Sequence, residues 1–114
     1  MHLRVVTVVI VRGKAAAYWA WSAEVVALWD ANGVVRAGGP YASTSASGED
    51  LAVWLTVHRS EDEMRAEFTR LYADGPGRAL MARRPALVAN TIVGVFGPWD
   101  PARGSPHGLP VMVP

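Results

Sequence analysis

The sequence predicts one α+β domain whose elements run strand, helix, strand, strand, helix, strand. Three observations carry this prediction. Apolar, β-branched runs recur at residues 3–11, 51–58 and 86–96. Two stretches with three- and four-residue apolar spacing separate the outer runs from the middle one. A serine followed three residues later by a glutamate marks the start of the second of those stretches. At 114 residues the chain can bury one core, so a single domain over residues 1–97 is expected, with a tail over 98–114.

The first strand, 3–11, ends at Arg12-Gly13, a turn signal after a buried run. From Lys14 the composition turns to alanine and aromatics. Tyr18, Trp21, Val25, Leu28 and Trp29 fall on one helical face, and Asn32-Gly33 supplies a helix stop. A second strand is expected over 34–42, where Gly38, Gly39 and Pro40 place it at an edge or at a bulge. Residues 43–50 are a polar turn.

In the third strand Leu51, Val53, Leu55 and Val57 occupy one face and Ala52, Trp54, Thr56 and His58 the other. Ser60-Glu61-Asp62-Glu63 is a capping box, with acidic side chains at the positive end of the helix dipole. The helix it opens runs through Met64, Phe68, Leu71 and Tyr72 and breaks at Asp74-Gly75-Pro76-Gly77. A short helical turn over 78–83 is expected next, before Arg84-Pro85 returns the backbone to extended form. The fourth strand is then 86–96. The proline-rich end beyond Gly97 is either disordered or an extended arm across the same or a partner chain.

Composition narrows the function classes. The apolar share is 51% and the charged share 18%, below the roughly 25% of typical globular chains, so some surface is expected to be covered by something other than water. Eleven basic and ten acidic side chains leave a net charge of +1, which gives no footprint for nucleic acid or an anionic membrane. No cysteine is present, which excludes disulfides and thiolate chemistry and fits a reducing, cytoplasmic setting. The N-terminal apolar run is too short to cross a bilayer and reads as a strand.

This element order gives a four-stranded antiparallel sheet with two helices on one face, the ferredoxin-like arrangement. The other face then lacks cover. Yet Val5, Val6, Val8, Val9, Val53, Leu55, Val88, Ile92 and Val93 spread large apolar groups over both faces. A homodimer in which two such sheets cover each other is the simplest closed solution.

Several segments resemble the NIPSNAP family. They are Arg12-Gly13-Lys14 followed by Tyr18 and Trp21, the passage from Leu55 into Ser60-Glu61-Asp62-Glu63, and Arg83-Arg84-Pro85-Ala86-Leu87-Val88 before the last strand. The resemblance spans roughly residues 3 to 97. It departs from the family pattern at Trp54 and His58 and in the proline-rich end. What it implies is a dimeric α/β barrel, in a superfamily that includes cofactor-free monooxygenases of phenols, polyketide cyclases, isomerases and haem-degrading enzymes.

The residues offer a limited set of chemical groups. His58 is suited to general acid or base work near neutral pH, or else it is a strand-end histidine bonded to Thr56 or a carbonyl. His2, at the start of the first strand, reads as a terminal residue. Tyr18, Trp21, Trp54 and Tyr72 either line a slot for a flat apolar ligand, with a tyrosine hydroxyl orienting a carbonyl or phenol, or are plain core. Asn90 and Arg4 interrupt apolar strands and must meet a ligand or the neighbouring chain. Arg78, Arg83 and Arg84 read as a solvated face, with an anionic substrate tail as the lesser alternative. No metal site and no phosphate loop is expected.

The expected activity is therefore that of a small, cofactor-independent enzyme of bacterial secondary metabolism. It would act on an apolar or aromatic metabolite by cyclase- or isomerase-type proton transfer, with His58 and Tyr18 as catalytic residues. Trp21, Trp54, Tyr72, Asn90 and Arg4 would bind substrate. Two alternatives stand beside it: cofactor-free oxygen insertion into phenols, and a non-catalytic binding or assembly module.

Overall fold

The computed structural model describes residues 1–102. The elements are β1 His2–Ile10, α1 Ala15–Ala31, β2 Arg36–Thr44, β3 Asp50–His58, α2 Glu61–Tyr72, α3 Gly75–Arg83, a 3₁₀ turn Arg84–Ala86 and β4 Val88–Phe96. Every strand pair is antiparallel and the order across the sheet is β2-β3-β1-β4, so β2 and β4 are the edges. This is the ferredoxin-like sheet expected from the sequence. The expectations for the tail beyond residue 102 lie outside the described residues.

Alternation along the strands sorts the sheet into two faces. Val6, Val8 and Ile10 of β1, with Ala52, Trp54, Thr56 and His58 of β3, turn inward and are buried. The apolar ones among them form one core with Tyr18, Trp21, Val25 and Trp29 of α1, Leu80 of α3 and Leu87. Polar groups inside it are partnered: the Trp21 indole N–H donates to the Leu80 carbonyl at 2.9 Å, tying α1 to α3.

The other face carries Leu3, Val5 and Val9 beside Leu51, Val53, Leu55 and Val57, all half-buried by their neighbours. Tyr41, Ile92 and Phe96 complete it, each more than half exposed. At about 25 cal/mol per Å² of apolar surface, water on such a face is unfavourable by several kcal/mol. No helix among the described residues is long and apolar enough to cross a membrane.

Three local features differ from the sequence reading. The Asp74–Gly77 break is also a start, because α3 begins at Gly75 and not at 78. Pro76 sits in its first turn, where a missing N–H leaves nothing unpaired. Gly77 lets α3 approach α2 so closely that a Cβ there would overlap the Leu71 carbonyl oxygen. Arg84-Pro85 winds into a 3₁₀ turn rather than extended backbone, delaying β4 to Val88. Finally, β2 runs two residues further than expected. Its register with β3 shifts on both sides of Gly38, and the Tyr41 ring lies over Gly38 and Gly39. The capping box holds at its serine, whose hydroxyl accepts from the Glu63 N–H at 3.1 Å.

Candidate functional site

Between the inner sheet face and the helices lies a cleft of about 320 Å³. Strand pairing sets its floor: Val6 stands between Trp54 and Val93, and Val8 is opposite Thr91. Arg4 lies two residues earlier on the same face. Tyr18, Trp21, Val25 and Trp29 descend from α1, Tyr72 comes from α2 and Met81 from α3, and Arg84 closes one end. The cleft opens at the β4 edge, where Val93 is 52% exposed. A cavity this large is at the lower end of the roughly 300–1,000 Å³ of small-molecule sites.

Two indole–phenol pairs organise the polar groups. Trp54 Nε1–H donates to the Tyr18 hydroxyl at 2.7 Å, and Trp29 Nε1–H donates to the Tyr72 hydroxyl at 2.7 Å. Each phenol oxygen thus already accepts a bond, so what each phenol has left to give is its own O–H. Burial pushes the Tyr18 phenol above its ordinary value, opposed by its side-chain hydrogen bonding with Trp54 and Ser22 and by the charge of Arg84. Tyr72 is also raised by burial, opposed by its Trp29 bond and by Arg4 and Arg84. Both are neutral donors at physiological pH.

The cations are placed just as specifically. The Arg4 guanidinium lies 4.7 Å from the centre of the Phe68 ring. Burial lowers its proton affinity, the Tyr72 phenol raises it and the charge of Arg84 lowers it further; an arginine nonetheless stays charged. Arg84 Nη2–H donates to the Thr91 hydroxyl at 2.6 Å.

The structure brings Tyr18, Trp21, Trp54, Tyr72 and Arg4 together around this cleft and leaves two expected residues elsewhere. His58 is buried at the end of β3 and lines a separate depression with Glu63 and Glu67. Its Nε2 lies 2.8 Å from the Thr56 hydroxyl, its Nδ1 is 3.5 Å from Glu67 Oε1, and its ring packs on Phe68. Burial holds its proton affinity below the ordinary value; Glu67 opposes this and Arg4 adds to it. Asn90 is exposed and pairs with Val9 on the open face, its Oδ1 accepting from the Thr91 N–H at 2.9 Å.

His2 pairs with His58 across β1 and β3, and its Nδ1 is buried without a partner. Of the arginine group, Arg83 is a surface residue bound to Glu24 at 2.8 Å, whereas Arg84 belongs to the cleft. Sequence reasoning placed Arg84 on a solvated face, with an anionic substrate tail as the lesser alternative, and singled out neither Thr91 nor Met81; all three line the cleft. Alternation would have placed Thr91 on the inner face opposite Val8, but no signal marks Arg84.

No family model matches this chain, and no curated protein does. Solved structures do resemble it. An uncharacterized NIPSNAP domain protein from Burkholderia xenovorans superposes with a TM-score of 0.70 at 19% identity, covering 87% of this chain and 95% of that one. A NIPSNAP family protein from Agrobacterium tumefaciens gives 0.67 at 17% identity, covering 87% and 86%. A candidate antibiotic biosynthesis monooxygenase from Nitrosomonas europaea gives 0.60 at 11% identity, covering 86% and 98%. At these identities the likeness is one of fold, and it is the fold that the sequence resemblance implied.

Proposed function

We propose that this protein is a small enzyme that binds a flat, apolar carbonyl compound in the cleft and stabilises its enolate. The observation that carries this reading is the pair of indole-held phenols, Tyr18 and Tyr72, lining an apolar cleft that also contains Arg4 and Arg84. Preorganised donors aimed at a developing oxyanion, in a site that excludes most water, are a large source of rate enhancement. The tryptophans leave the cleft open, which supports a ligand site over a filled core.

In the proposed step a C–H bond beside the carbonyl breaks. Its proton passes to solvent at the open β4 edge, and its electron pair moves to the carbonyl oxygen, which the phenol O–H groups hold. Return of a proton at another carbon gives an isomer. Attack of the enolate carbon on a second carbonyl forms a C–C bond and an alkoxide; the alkoxide takes the Tyr18 proton, and solvent restores the phenol. The proton donor in this reading is Tyr18 and not His58, whose two ring nitrogens face Thr56 and Glu67 outside the cleft.

Proton–deuterium exchange beside the carbonyl of 2-tetralone, followed by NMR, tests the step. Exchange above the buffer rate is expected, and Tyr18→Phe should lower it about a hundredfold to a thousandfold, the scale of losing one oxyanion donor. No exchange above buffer refutes the reading. Oxygen insertion into an electron-rich phenol is the second reading, supported by the monooxygenase named among the similar structures; it predicts oxygen uptake on adding such a phenol. The open sheet face supports a second copy of the chain as its cover, since one patch of Ile92, Phe96 and Tyr41 can serve both partners of a two-fold dimer.

A further inference from the structure

The charges around the cleft are unbalanced. Arg4 and Arg84 both line it, and no carboxylate does. Asp30 pairs with Arg36, Glu24 with Arg83, Glu61 with Arg65 and Glu67 with His58, and none of these acids lines the cleft. Arg84 donates to Thr91, and Arg4 lies on the Phe68 ring. A guanidinium has five N–H donors, so one bond to Thr91 leaves most of the donor capacity of this pair without a side-chain partner among the described residues. Two cations in an apolar pocket, close enough to oppose each other's charge, call for an anion between them.

We infer that the natural ligand of the cleft is a flat, apolar monocarboxylate whose carboxylate is held by Arg4 and Arg84 beside the Thr91 hydroxyl. This rests on the reading of the cleft as a small-molecule site and adds the class of molecule. Planar guanidinium forks match the two oxygens of a carboxylate. The remainder of the lining, tryptophan, valine and methionine, suits an aromatic body.

Calorimetric titration of the full chain with 2-naphthoate and with its neutral isostere 2-naphthamide tests the inference. Naphthoate should bind at least tenfold more tightly, and Arg84→Met should abolish that preference. Because a variant can fail to fold, wild-type protein is also titrated at rising salt. Naphthoate affinity should fall with salt and naphthamide affinity should not.

Equal binding of the two probes by wild type overturns the inference and leaves the cleft reading intact. Binding of neither at millimolar concentration overturns both. Displacement of naphthoate by inorganic phosphate at submillimolar concentration overturns the carboxylate in favour of a phosphorylated ligand.

Discussion

Tyr18→Phe removes one oxygen from the centre of the molecule. That oxygen accepts the Trp54 indole N–H at 2.7 Å; Tyr18 is fully buried and Trp54 is 5% exposed. The phenyl ring fills the same space, so little packing is lost, but the indole donor is left inside without an acceptor. An unsatisfied buried donor is unfavourable by about 1–3 kcal/mol. In a domain near 100 residues each kcal/mol corresponds to roughly 4–8 °C in Tm. Trp54→Phe also removes indole volume and is expected to be more destabilising.

In the double variant the donor is gone along with its acceptor, so the two losses should not add. The expected coupling is about 1–2 kcal/mol, inside the range for residues sharing one bond. Urea unfolding followed by circular dichroism measures it without relying on tryptophan emission. If Tyr18→Phe costs less than about 0.5 kcal/mol and the losses add, the bond does not hold the phenol, and the proposed role of its O–H in the cleft fails with it.

His58 should make stability depend on pH. Burial lowers its folded-state proton affinity below the ordinary value of 6.5, so the unfolded chain binds the proton more readily. Its contribution is complete above about pH 6.5 and is lost as pH falls through that value toward the folded-state one, at up to about 1.4 kcal/mol per pH unit. His58→Gln should flatten the stability profile below about pH 6.5 relative to wild type, and parallel profiles would refute the assignment. The open sheet face predicts a dimer in sedimentation at micromolar concentrations, converted to monomer by Ile92→Lys combined with Phe96→Lys; a wild-type monomer removes the second copy as its cover.

Much of the fold was legible because it rests on local and periodic signals. Two-residue alternation in β3 separates Trp54 and Thr56 from Leu55 and Val57, and these groups do occupy opposite faces. Ser60 and Glu63 meet as a cap because a helix start is a local event. The start of α3 was less legible, since Gly75-Pro76-Gly77 reads locally as a breaker. Its helical role depends on Gly77 lying against the Leu71 carbonyl, a close approach of two helices that residue types and their spacing do not reveal.

The site was legible only as far as alternation reaches. Period two correctly assigns Trp54 and His58 to one face, but a cleft occupies only part of that face, and their positions along the strand differ. Trp54 meets Tyr18 and joins the cleft, whereas His58, four residues on, is screened from it by Phe68, which stacks on Tyr72 and carries Arg4. Arg84 presents the opposite case. It follows Arg83 and precedes a proline, and only the 3₁₀ turn sends the one to the cleft and the other to Glu24 on the surface. A one-residue difference in a non-repeating turn therefore separates the solvated arginine from the one that faces the cleft. That is why the residue on which the anion inference chiefly depends carries no periodic signal.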